Sequence, residues 1–85
     1  MKKYNKTLKA VIDQIVLFLE QANITFKKIK NSFKINTEDI KCEDCKKKVD
    51  EIIIHYFGDK DVTRVRKYNY HENKLYIQFK KSVTV

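Results

Sequence analysis

The apolar residues of this chain keep two different periods, and the change from one to the other limits what it can fold into. Leu8, Val11, Ile12, Ile15, Phe18, Leu19 and Ala22 recur at steps of three and four, the stripe of an amphipathic helix that Thr7 can cap and that ends near Asn23. Over residues 60–81 the step is two. VTRVRKYNY and KLYIQFKK alternate on either side of His71, Glu72 and Asn73, which predicts a β-hairpin. Between these blocks, ITFKKI and SFKIN alternate through Ile24, Phe26, Phe33 and Ile35, with Lys30, Asn31 and Ser32 as turn material. One or two short strands are expected there.

A second helix is expected before the hairpin. Asn36 or Thr37 followed by Glu38 and Asp39 is a helix-start pattern, and Cys42, Cys45, Val49, Ile52, Ile53 and Tyr56 share one face, with Gly58 as the stop. Ile40 falls off that face. Either a one-turn helix at 37–41 leads into a longer one at 43–57, or an extended segment runs through Ile40 and the helix starts at the cysteines. The elements make an α+β chain in the order helix, strand or strands, one or two helices, β-hairpin. With 85 residues, this is one small domain spanning 1–85 with a modest core.

The hairpin has two registers open to it. A two-residue loop at Glu72 and Asn73 pairs Tyr70 with Leu75 and gathers Tyr68, Tyr70, Leu75, Ile77 and Phe79 on one face, whereas a three-residue loop gathers Arg64, Arg66, Tyr68, Tyr70, Tyr76, Gln78 and Lys80. The first segregates the apolar residues better and is preferred.

Charge indicates the class of partner. The formal net charge is +8, and residues 60–81 hold seven of the nineteen basic residues against only Asp61 and Glu72. Residues 1–36 hold eight Lys against Asp13 and Glu20, while residues 37–57 hold six acids against four Lys. A basic surface interleaved with tyrosine is the footprint of phosphate-backbone binding. The expected contacts are Arg64, Arg66, Lys67, Lys74, Lys80 and Lys81 to phosphates, with Tyr68, Tyr70, His71 and Asn73 adding hydrogen bonds or packing. Lys2, Lys3, Lys6 and Lys9, or Lys27, Lys28 and Lys30, are available as a second anchor. DNA is the expected partner, RNA an alternative, and a homodimer is compatible with the pattern.

Other classes fare less well. The stretch AVIDQIVLFLEQA is interrupted by Asp13 and Gln14 and is too short to span a bilayer, so no membrane partner is expected. Two cysteines make no disulfide framework, which suggests a reduced, cytoplasmic protein. No Ser/His/Asp set, phosphate-cradling glycine loop or paired catalytic carboxylates can be found, so neither an enzyme nor a cofactor is expected.

Cys42 and Cys45 form a Cys-x-x-Cys at a helix head, a spacing that lets two thiolates meet one thiophilic ion. Their plainer role is as two successive core positions. The stretch FKINTEDIKCEDCKKKVDEII, followed by Val62, Val65 and the hairpin, resembles the heavy-metal-associated domain. That resemblance implies Cys42 and Cys45 as ligands, on a ferredoxin-like fold circularly permuted so that the N-terminal helix and strand supply the missing pair. The order helix, strand, helix, helix, strand, strand over residues 7–81 also resembles the winged helix DNA-binding domain. That likeness implies a winged-helix-like fold and an accessory or regulatory DNA-binding factor. Because Glu43, Asp44, Asp50 and Glu51 dilute Lys46, Lys47 and Lys48, the hairpin wing, not the helix, is expected to make the main contacts. A third class is a small inhibitor or adaptor bound to an acidic protein surface.

Overall fold

The computed structural model describes residues 2–81, the side chain of Lys2 excepted. The first helix, α1, covers Lys2–Gln21 and so starts earlier than a Thr7 cap would place it. Thr7 instead donates its hydroxyl back to the Lys3 carbonyl at 2.8 Å, the habit of a threonine inside a helix. Asn23, at φ +57, takes the left-handed conformation that ends the helix, and the Ile24 N–H closes back on the Leu19 carbonyl at 2.9 Å.

Two strands follow, β1 at Phe26–Ile29 and β2 at Ser32–Asn36, joined by a tight turn in which Lys30 has φ +53. Residues 37–41 then form turns and no helix. Asn36 Oδ1 accepts the Glu38 N–H at 2.9 Å, so the short polar side chain stabilises a local turn instead of capping a helix. Helix α2 starts at the cysteines and covers Cys42–Phe57, the second of the two solutions open to Ile40. Gly58 closes it with φ +95 and an N–H bonded to the Ile54 carbonyl at 2.8 Å.

The segment expected to open the hairpin coils first. Val62–Val65 is a single helical turn, α3, held by the Asp61 carbonyl, which accepts N–H bonds from Arg64 at 3.0 Å and Val65 at 3.2 Å. Strand β3 is therefore Arg66–His71, and β4 is Lys74–Phe79. Glu72 and Asn73 both have positive φ, +51 and +62, the geometry of a two-residue type I′ turn. Tyr70 pairs with Leu75, the register that segregates the apolar residues.

All four strands form one antiparallel sheet in the order β1-β2-β4-β3. The α+β class expected from the sequence is what forms. A four-stranded sheet closed by the segment after α1 is what the permuted alternative requires, and the helix at 37–41 that the winged-helix order requires does not form. The physical reason is that Phe33 and Ile35 must be buried, and pairing β2 with β4 places them beside Ile77 and Leu75.

Helices α1 and α2 lie against the same face of the sheet. Leu8, Val11, Ile12, Ile15 and Leu19 of α1 and Cys45, Val49 and Ile53 of α2 join Phe33, Ile35, Leu75, Ile77 and Phe79 in one core. The helices run antiparallel: Tyr4 stacks near Phe57 with ring centres 5.5 Å apart, and Lys48 Nζ lies 5.8 Å from the Phe18 ring. Tyr4 also donates its hydroxyl to the Lys80 carbonyl at 2.7 Å, tying the start of α1 to the end of β4. No helix among the described residues is long and apolar enough to cross a membrane.

Candidate nucleic-acid interface

Among the described residues, helices cover only one side of this sheet, and the pairing register identifies what occupies the other. Residues directly opposite in an antiparallel ladder share a face. Since Phe33, Ile35, Leu75 and Ile77 point to the helices, the residues between them point away. One row on the open face is Lys27, Lys34, Tyr76 and Asn69; the next is Ile29, Ser32, Gln78 and Lys67. Asn36, Lys74 and His71 make a third. None of these side chains is buried.

The charge on this side has one sign. All eleven acidic residues lie outside the strands, which carry Lys27, Lys28, Lys34, Arg66, Lys67 and Lys74. Four of those lysines, Lys27, Lys34, Lys67 and Lys74, stand on the open face. Asp39 and Glu72 sit in the turns that follow β2 and β3. Asp39 accepts the Thr25 N–H at 2.7 Å, a backbone bond that holds its carboxyl below the usual range with help from nearby Lys74. Glu72 lies 3.6 Å from His71 Nε2 at the hairpin tip.

The sequence-predicted contacts divide between two surfaces. Lys67, His71 and Lys74 are on the open face, and Lys80 and Lys81 are exposed beside it at the end of β4. Arg66, Tyr68 and Tyr70 point to the helix side instead, because they alternate in phase with Leu75, Ile77 and Phe79. Arg66 donates to both carboxylate oxygens of Asp50, Nε at 3.1 Å and Nη2 at 3.2 Å, and its guanidinium carbon lies 4.2 Å from the Tyr68 ring centre. Tyr68 donates to Asp50 Oδ1 at 2.5 Å. Burial, reinforced by that bond, pushes its hydroxyl well above the ordinary tyrosine value.

The remaining predicted residues have local partners. Tyr70 is half exposed, and its hydroxyl donates to Asn73 Oδ1 at 3.3 Å. The Asn73 carbonyl accepts both the Thr37 N–H at 3.1 Å and the Thr37 hydroxyl at 2.7 Å. Arg64, on the helical turn, pairs with Asp61 at 3.3 Å. The hairpin is thus no projecting wing: β4 is paired on both sides, and the tip is fastened to the turn after β2. A free two-stranded ribbon would need β4 unpaired on its β2 side.

Cys45 lies wholly within the core and Cys42 is partly buried against it. Burial, with Cys42 adjoining, pushes the Cys45 thiol up to about 11. The two therefore occupy successive core positions of α2. Among the described residues no group of three or more His, Cys, Asp or Glu is placed to hold a metal ion.

Several members of the open face were not singled out from the sequence as contacts: Lys34, Asn69, Tyr76, Gln78 and Ile29. Lys34 had a readable signal, since it lies between two buried residues of one strand and must point away from them. Tyr76 and Asn69 follow from the even hairpin register. Their union with Lys34 depends on β2 pairing with β4, which the local pattern does not encode. Compared with protein-family models, curated proteins and solved structures, the chain matches none.

Proposed function

We propose that this protein binds nucleic acid through the open face of its sheet, with the C-terminal hairpin supplying most of the contacts. The observation that carries this reading is the sign segregation: four lysines on a face no described helix covers, and every Asp and Glu side chain outside the strands. Phosphate binding draws on such a surface because each contact releases condensed counterions from the polyanion. Lys67 and Lys74 keep the role given them by the sequence, joined by Lys27 and Lys34 from the neighbouring hairpin. Lys80 and Lys81 extend the surface at one end. Arg66 and Tyr68 serve it indirectly by fastening β3 to α2. Two free thiols suit a reducing compartment.

Fluorescence-anisotropy titration with a labelled oligonucleotide at several salt concentrations tests the reading. Four lysine contacts give a log-log slope of about −3 with a single strand. Lys34→Glu with Lys74→Glu abolishes most binding, whereas Lys47→Glu with Lys48→Glu on α2 changes it little. Equal losses from the two pairs, or no binding at low salt, would refute the proposal.

A further inference from the structure

The breadth of the open face and the tyrosine at its centre bear on which form of nucleic acid it takes. We infer that the ligand is a single strand, laid across the sheet with one base stacked on Tyr76. The inference rests on reading the open face as a nucleic-acid surface.

Geometry argues against the duplex grooves. Three interstrand steps set the outer strands about 14 Å apart, and the major groove, about 12 Å wide, admits a helix or a two-stranded ribbon. β3 and β4 do not enter as a ribbon, because β2 is bonded along β4 from Ser32 to Asn36. The tip offers only a two-residue turn, itself held by Thr37. A four-stranded face presents a broad surface instead, suited to unpaired bases that expose their ring faces.

The side chains match that ligand. Tyr76 is on an inner strand, flanked across the ladder by Lys34 and Asn69. An aromatic ring there supplies a stacking platform, and the adjacent lysine takes the following phosphate. A shallow depression opens at the end of the same face, where Ile29 and Ser32 meet Lys67, Gln78 and Lys80. Ile29 is 58% exposed, an apolar surface among lysines where a second base can rest while its phosphates meet charge. Asn69 and Gln78 stand beside the two positions with amide groups able to bond base edges.

The test compares a labelled single strand of about twelve nucleotides, as DNA and as RNA, with a duplex of the same length. The single strand in one or both sugars binds about tenfold tighter than the duplex. Tyr76→Ala weakens it by about tenfold and Tyr76→Phe retains it, since a stacking ring survives the loss of the hydroxyl. Parent-like circular dichroism of both variants excludes misfolding as the cause. If Tyr76→Ala misfolds, Ile29→Lys serves in its place and removes the apolar resting surface while adding charge; weaker binding supports the inference and tighter binding overturns it. Equal affinity for duplex and single strand overturns the inference and leaves the nucleic-acid reading intact. Failure of both to bind at about 50 mM salt removes the reading itself.

Discussion

Asp50 of α2 holds Arg66 of β3 in a two-pronged bond, 3.1 Å and 3.2 Å, with the arginine side chain only 17% exposed. The same carboxylate accepts the Tyr68 hydroxyl. An arginine that looks from sequence like a phosphate contact is thereby a brace between the outer strand and the helix layer. Its charge is already matched by an acid sixteen residues away in sequence but adjacent in space.

Removing that acid leaves a partly buried cation without its acceptor and leaves the Tyr68 hydroxyl only the longer bond to the Lys46 carbonyl at 3.3 Å. Asp50→Ala is expected to lower stability by about 2 kcal/mol in urea denaturation, because bonds to charged groups cost most when one partner is deleted. Glu43→Ala, whose exposed carboxylate is 3.9 Å from Lys46, should change it by under about 0.5 kcal/mol.

The Cys45 thiol gives the molecule an alkaline limit. Its folded pKa is raised from an ordinary 9.0 to about 11, so the neutral thiol is the form the fold favours. The stability this contributes is full below pH 9 and is lost as pH rises from 9 through 11. Urea midpoints measured between pH 8 and 10.5 should fall, and fall less in Cys45→Ala. Mass-spectrometric thiol labelling at neutral pH should modify Cys42 well before Cys45.

Gly58 is placed by conformation rather than by space. No atom lies within 4 Å of where a Cβ would stand, yet φ is +95. Gly58→Ala is therefore expected to cost about 1 kcal/mol through backbone strain alone, read as a lower melting temperature without a change in fold.

Glu72 occupies the first central position of the β3–β4 turn with φ +51, a conformation that asparagine adopts more readily. Glu72→Asn should raise stability by about 0.5 kcal/mol and also remove the carboxylate beside His71. Tighter oligonucleotide binding at low salt is the expected companion effect.

Both main helices were legible because their apolar stripes are long, and the even hairpin register was legible because only it gathers Leu75, Ile77 and Phe79 with Tyr68 and Tyr70. The helix at Val62–Val65 was hidden by its β-branched residues, which read as strand until the Asp61 carbonyl captures two amides. The division of the basic residues was hidden for a different reason. Whether a lysine or arginine meets solvent or an acid depends on β2 pairing with β4 and on Asp50 reaching Arg66 across sixteen residues, both contacts between distant segments. Alternation within a strand gives its two faces; it does not say which face a helix will cover.

The central claim is that the uncovered face of the sheet is the binding surface. Titrating isotopically labelled protein with a short single-stranded oligonucleotide and following amide chemical shifts by NMR tests it most directly. The account predicts the largest changes at Lys34, Lys67, Asn69, Lys74, Tyr76 and Gln78, with the outer surfaces of α1 and α2 unmoved. Changes concentrated on the helices, with the strands silent, would contradict it.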